Sequence, residues 1–172
     1  ISLNNIEKVL KAGKPLVWTM HDIWPATAIC HITLDCRKFE TQCEKCRLLP
    51  FPFGCDLAKR TWRRKEQIKG HSHIIYIACS KWLQNEAKKS ALIGKNIIES
   101  IPNPIDSNIF CRTNKNEARK KLGLPADKRL ILFASQRVTN LNKGMGYLVD
   151  ACQKMVRQHP ETLTNTAVVV LG

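Results

Sequence analysis

The strongest constraint on this chain is the recurrence of short, apolar, strand-length runs separated by helical patterns. Leu16-Val17-Trp18-Thr19-Met20, the run from His73 to Cys79, Ile97 to Ile101, Lys128 to Ala134 and Val168 to Leu171 are rich in β-branched or large apolar residues. Between them lie segments with helical spacing. Ser2 to Lys11 carries Leu3, Ile6, Val9 and Leu10, and Gly13 and Pro15 end it. Residues 57 to 69 read as a basic helix stopped by Gly70. Ser80 is a suitable N-cap for a helix bearing Leu83, Ala87 and Ala91 on one face, closed by Gly94. Asn114 with Glu117 resembles a capping box. A further helix after Gly144 places Tyr147, Leu148, Ala151, Cys152, Met155 and Val156 on its buried side and ends at His159-Pro160. Strand and helix in alternation predict parallel sheets joined by crossover helices, hence an α/β chain of Rossmann-like units.

Pro102-Asn103-Pro104-Ile105-Asp106 forces an extended passage, because proline removes a donor and restricts its predecessor. The domain boundary is placed just after it, giving regions 1–106 and 107–172. The chain opens at Ile1 without a methionine and closes on the strand-like Thr166–Leu171 followed by Gly172. A buried parallel strand needs neighbours and a continuing crossover. Truncation at both ends is therefore expected.

Composition excludes several classes. A hydrophobic share of 44% with 24% charged residues is that of a folded soluble domain, not of a disordered chain. No apolar run of about eighteen residues and no signal segment is present. A cytoplasmic location is the expectation. The net charge of +14, from 28 basic and 14 acidic residues, favours anionic partners: phosphorylated ligands, nucleic acid or acidic lipid. A generally basic solvated surface explains the same number. Helix 57–69 offers Trp62 among Lys59, Arg60, Arg63, Arg64, Lys65 and Lys69, a pattern for peripheral contact with an anionic membrane at its inner face. A solvated basic face is the other reading, since its apolar stripe is thin.

Residues 25–56 lack periodicity and hold Pro25, Pro50, Pro52 and five of the eight cysteines. So long a loop in a compact domain implies a function or a cross-link that orders it. Cys30, Cys36, Cys43 and Cys46 are spaced C-x5-C-x6-C-x2-C. The last pair is a usual zinc half-site, while the first is wider than a usual knuckle. Structural zinc and ordinary thiols in a partly buried loop stand as alternatives, with an iron–sulfur cluster third. His21 and His31 are candidate replacements for one ligand. Cys79, Cys111 and Cys152 have no partner spacing.

Four stretches, taken in order, resemble the retaining glycosyltransferases of family 4, which have the GT-B fold. They are Pro15-Leu16-Val17-Trp18-Thr19-Met20-His21-Asp22-Ile23-Trp24-Pro25; Ala78-Cys79-Ser80-Lys81-Trp82-Leu83; Ile101-Pro102-Asn103-Pro104-Ile105-Asp106 with Phe110; and Ile131-Leu132-Phe133-Ala134-Ser135 leading to Lys143-Gly144 and Tyr147-Leu148. The cysteine-bearing loop is similar to that of a subgroup making bacterial cell-surface polysaccharides. The resemblance implies two doubly wound domains facing across a cleft. Residues 1–106 would be the C-terminal half of the acceptor-side domain, and 107–172 the start of the sugar-nucleotide-binding domain. It implies a nucleotide-diphosphate sugar as donor substrate, a growing polysaccharide or lipid-linked saccharide as acceptor, and no organic cofactor.

By the same resemblance His21, at the end of an N-domain strand, faces the donor sugar as the catalytic-site residue. Neutral imidazole can hydrogen-bond a hydroxyl and tolerate positive charge developing at the anomeric carbon. A strand-end histidine bonded to backbone is the plainer account. Asp22 either orients His21 or caps a turn. Lys143 and Gly144 match the family's K-G, which holds the donor diphosphate beside a helix N-terminus. Arg137 is the candidate second cation, although Gln136 stands where the family has glycine and Arg137 lies six residues before Lys143 rather than five. A basic surface loop accounts for both cations equally. The family's paired-glutamate donor motif, Glu-x7-Glu, does not occur in these residues, so the chain by itself is expected to be inactive.

The rival reading is a zinc-stabilised basic nucleic-acid-binding module, supported by charge, the cysteine cluster and the Arg/Lys helix. Few aromatics (6%), no finger spacing and the βαβ pattern make nucleic acid the disfavoured partner.

Overall fold

The structure, a computed structural model, describes residues 2–49, 56–69 and 73–172. Gly70, Pro50, Pro52 and Cys55, used above as a helix stop, as loop markers and as the fifth loop cysteine, lie outside the described residues. The chain is α/β with small parallel sheets and divides into two compact units, Ile1–Ile105 and Asp106–Gly172.

In the first unit α1 (Leu3–Lys11) starts at Ser2, whose hydroxyl accepts the Asn5 amide at 3.3 Å. It leads to β1 (Leu16–Met20), α2 (Leu57–Lys69), β2 (Ile74–Ala78), α3 (Lys81–Lys88) and β3 (Ile97–Ser100). The sheet order is β1-β2-β3, all parallel. The register places Trp18, Tyr76 and Ile98 in one row and Val17, Ile75 and Ile97 in the next. Period-two alternation sends these rows to opposite faces. Tyr76 and Ile98 are buried, and the Trp18 and Tyr76 rings lie 5.9 Å apart. Val17, Ile75 and Ile97 are exposed.

Helix α2 buries Ala58, Trp62 and Ile68 in the core shared with Ile74, Tyr76 and Ile98. Trp62 is wholly inaccessible, which removes it as an anchor for a lipid surface. The apolar stripe of α2 points inward. Its basic residues are also partly engaged: Lys59 pairs with Glu44 at 2.8 Å and Arg64 with Glu7 at 3.1 Å, while Lys65 is buried.

Helix α3 begins where the sequence indicates, with Ser80 accepting the Leu83 amide at 3.2 Å. It ends at Lys88, short of the expected Gly94. Tertiary bonds draw the chain out of the helix. Ala91 donates its amide to the Phe39 carbonyl at 3.0 Å, and the Ser90 hydroxyl donates to the Ala26 carbonyl at 2.6 Å. Gly94 then passes so close to the preceding turn that a Cβ would meet the Lys88 carbonyl oxygen at 2.4 Å. Glu86, with 11% of its side chain exposed, accepts from Lys89 at 2.5 Å and Arg37 at 2.6 Å.

The second unit contains α4 (Lys115–Lys121), β4 (Arg129–Ala134), α5 (Met145–Gln158), α6 (Thr162–Asn165) and β5 (Thr166–Leu171). Asn114 caps α4 by accepting the Asn116 and Glu117 amides. β4 and β5 pair in parallel across the α5 crossover. Arg119 is the one buried side chain of this unit among the described residues, and donates to the Pro125 and Ala126 carbonyls at 2.9 and 2.6 Å. The inward face of α5 is narrower than its periodicity suggests. Leu148, Cys152, Met155 and Val156 are half-buried, but Tyr147 and Ala151 are exposed. A two-stranded sheet offers a helix too little surface to cover a six-residue stripe. Gly172 crosses the loop after β4 so closely that a Cβ would stand 2.3 Å from the Ser135 carbonyl oxygen. Among the described residues no helix is long and apolar enough to cross a membrane.

Two outcomes follow from this packing. Among the described residues the buried Trp62 indole N–H has no hydrogen-bond partner. Trp62→Ala should lower the unfolding free energy by about 3–5 kcal/mol, and Trp62→Phe, which removes the unpaired donor, by under about 1.5 kcal/mol, both read from urea denaturation. Glu86 is held below its ordinary value of 4.5, first by the Lys89 hydrogen bond and then by Arg37, against the opposing effect of burial. Its stabilisation is complete above pH 4.5 and disappears as pH falls through the depressed folded value. The melting temperatures of Glu86→Gln and the parent should thus differ at neutral pH and converge in acid.

Candidate functional site at the carboxyl edge of β1

Crossover connections bring all three strand ends of the first unit to one edge, where ligands of open parallel sheets bind. β1 ends at Met20, and the chain turns at once through His21 and Asp22 into a 3-10 turn at Trp24–Ala26. A cleft of about 530 Å³ opens here, lined by Trp18, Thr19, Met20, His21, Asp22, Trp24, Pro25 and His31. The His21 side chain is exposed within it.

Asp22 performs the turn cap that the sequence offered as one of its roles. Its Oδ1 accepts the Trp24 amide at 2.8 Å. Its other oxygen lies 2.7 Å from Nδ1 of His31, not on His21. With Nδ1–H donated to the carboxylate, His31 Nε2 is left as an acceptor toward the cleft. An imidazole and an orienting carboxylate at hydrogen-bond distance can serve as an oriented base, and the sequence did not reveal this pairing. The signal was only an aspartate after a strand and a histidine nine residues on, inside a loop without periodicity. His31, offered by the sequence as a substitute metal ligand, places its Nδ1 on Asp22.

Behind the cleft wall sits Lys65, 5% exposed. Its Nζ donates to the carbonyls of Trp24 at 2.5 Å and Thr27 at 2.9 Å, and lies 3.5 Å from the Trp24 ring centroid. Burial pushes this ammonium down to about 7, while the nearby Cys43, Asp22 and Cys30 pull the other way. Two carbonyl acceptors and an aromatic face are the partners that favour the charged form, and they oppose the effect of burial.

The four clustered cysteines converge. Cys30, Cys36, Cys43 and Cys46 line one pocket of about 250 Å³, together with Ala28, Ala58, Arg37, Lys38, Glu44 and Arg47. Burial pushes the Cys30 thiol up to about 11, with the neighbouring Cys46, Cys43 and Cys36 adding to it. Cys43 is raised by burial too, against a backbone hydrogen bond involving Ala28. All four are free thiols. Among the described residues no three His, Cys, Asp or Glu side chains already form a metal cage. The loop is fastened on every side: Lys38 donates to the Glu44 and Lys45 carbonyls at 3.0 and 3.1 Å, Arg47 pairs with Asp35, and Asp56 accepts the Lys45 amide at 2.5 Å.

In the second unit the loop after β4 carries the remaining candidates. The Ser135 hydroxyl donates to the Arg137 carbonyl at 3.1 Å, closing a tight turn. The Arg137 and Lys143 side chains are exposed. Lys143 ends a 3-10 turn (Leu141–Lys143), and Gly144, at φ +83°, joins that turn to α5. This left-handed conformation favours glycine, and no side chain caps the first amides of α5. Those amides are free to meet an anion.

Comparison with family models, with curated proteins and with solved structures returns no match for this chain.

Replacing Lys65 with methionine leaves two inward carbonyls without a donor. Lys65→Met should cost roughly 1–3 kcal/mol of stability and loosen the 24–31 segment, seen as faster amide exchange there than in α1.

Proposed function

We propose that the chain is part of a sugar-nucleotide-dependent glycosyltransferase of the GT-B, family 4 kind. The supporting observation is the position of His21: a strand-end histidine inside a cleft at the carboxyl edge of a parallel sheet. In this reading the cleft receives sugar. His21 hydrogen-bonds a hydroxyl of the donor sugar beside the charge that develops at the anomeric carbon. The Asp22–His31 pair supplies a second, oriented acceptor for a hydroxyl. In the second unit Lys143 and the uncapped amides of α5 hold the donor diphosphate, whose charge grows as the sugar leaves. Arg137 is the further cation of that loop. The nucleotide sugar is a substrate, the acceptor is a growing polysaccharide or lipid-linked saccharide, and no organic cofactor takes part.

The engagement of α2 favours this reading over a nucleic-acid-binding module. A backbone-tracking surface needs free cations. Lys59 and Arg64 are paired with carboxylates and Lys65 is buried, so the helix presents fewer than its composition promises.

Calorimetric titration of the 172-residue chain with a nucleoside diphosphate tests the proposal. Saturable binding is expected, weakened about tenfold by Lys143→Ala, the loss of one charge-assisted contact, and unchanged by His21→Ala, which faces sugar rather than phosphate. Without a Glu-x7-Glu pair, no sugar transfer is expected from these residues alone. Equal affinity in the parent and Lys143→Ala, together with DNA binding that falls steeply with salt, would sink the transferase assignment.

A further inference from the structure

The convergence of four thiols from an aperiodic loop requires an explanation. Ordinary core cysteines fill space among apolar neighbours. These four line a single pocket whose other walls include Arg37, Lys38 and Arg47, with Glu44 as its one carboxylate. Four sulfur donors facing one space form the ligand set of a thiophilic divalent cation, which binds the thiolates and releases their protons.

The backbone gives an independent indication. Among the described residues, positive φ outside glycine occurs only at Leu34 (52°) and Lys45 (46°). Leu34 lies two residues before Cys36, and Lys45 immediately precedes Cys46 within the Cys43-Glu44-Lys45-Cys46 half-site. Such conformations cost roughly 1–3 kcal/mol each and persist where surrounding contacts demand them. Here both fall within two residues of a pocket-lining cysteine. The Lys38 ammonium and the Asp56 carboxylate hold the Lys45 turn by its backbone. Charge placement agrees: Arg37, Lys38 and Arg47 line the pocket, and the Lys38 and Lys65 amino groups both rest on carbonyls of this loop. A tetrathiolate site of a divalent ion carries net negative charge, which buried or lining cations offset.

We propose that Cys30, Cys36, Cys43 and Cys46 bind one zinc ion as a structural tetrathiolate site, and that this ion fixes the loop that forms one wall of the β1 cleft. Cys30 directly precedes His31, so anchoring its sulfur fixes the start of the residue that meets Asp22. Four thiols give up four protons as the ion binds, and no electron is exchanged. Zinc suits four sulfur donors in a tetrahedron, whereas magnesium and calcium require oxygen. The proposal does not depend on the transferase reading.

Metal analysis of the 172-residue chain, purified under reducing conditions, tests it. One zinc per chain is expected. Cobalt replacing it should give the intense visible bands of tetrahedral cobalt with thiolate-to-metal charge transfer in the near ultraviolet. Cys43→Ser and Cys46→Ser should weaken zinc binding by more than the roughly 10–100-fold that loss of an outer-shell partner costs. Cys55→Ser, Cys79→Ser and Cys111→Ser should retain the full stoichiometry. Should the ligand variants fail to fold, the parent still decides: chelation should expose four additional thiols to a thiol reagent. The absence of stoichiometric zinc overturns the proposal. So does iron in its place, a disulfide among the four in alkylation mapping, an octahedral cobalt spectrum, or loss of the ion from Cys55→Ser.

Discussion

The first unit depends on one buried ammonium. Lys65 comes from α2, yet its three partners, two carbonyls and an aromatic face, belong to the turn that follows β1. A cation taken out of water costs several kcal/mol unless its surroundings replace the lost solvation. That requirement works as a positioning device. Helix α2 can dock only where the Trp24 and Thr27 carbonyls converge, and the turn can rest only where the helix brings the charge. The inward placement of Trp62 and Ala58 follows from the same docking. Stability and cleft geometry are thus joined at a residue that touches neither His21 nor the cleft interior.

Around that contact the loop behaves as a structured layer. Ser90 reaches Ala26, Ala91 reaches Phe39, and Arg37 reaches Glu86, so the turn after α3 and the cysteine segment hold each other. The termination of α3 at Lys88 is one result. Local periodicity favours another helical turn through Ala91, but hydrogen bonds to distant carbonyls favour leaving it.

The strands were the most legible part of the sequence. β1 falls on the residues its β-rich composition marks, and β2, β3, β4 and β5 differ only at their ends, because a run of apolar residues in a parallel sheet reads unambiguously. Caps were legible too: Ser80 and Asn114 accept the amides their chemistry suits. The inward stripe of α5 was over-read, since periodicity says which residues share a face but not how much surface awaits them. At the site, the position of His21 follows from strand polarity and could be seen in advance. The grouping of the four cysteines was suggested by their spacing, whereas the Asp22–His31 pair and the burial of Lys65 were not visible, because each joins residues through a loop with no period to announce its path. Arg119 is similar: nothing in the pattern of α4 announces that its guanidinium meets the carbonyls of the turn at Pro125 and Ala126.

The β1–β2 connection occupies residues 21–73, yet the two strands pair in plain parallel register. A hairpin ties register to the length of its turn, whereas a crossover leaves register to the strands themselves. Lengthening a closed loop is also cheap, with each doubling adding only about 0.6 kcal/mol of closure entropy. The cysteine-bearing segment can therefore be viewed as a module inserted into a scaffold indifferent to its length. Over evolutionary time such a segment can be exchanged, enlarged or lost while the strands beneath it keep their alignment, provided that whatever replaces it brings its own fastenings.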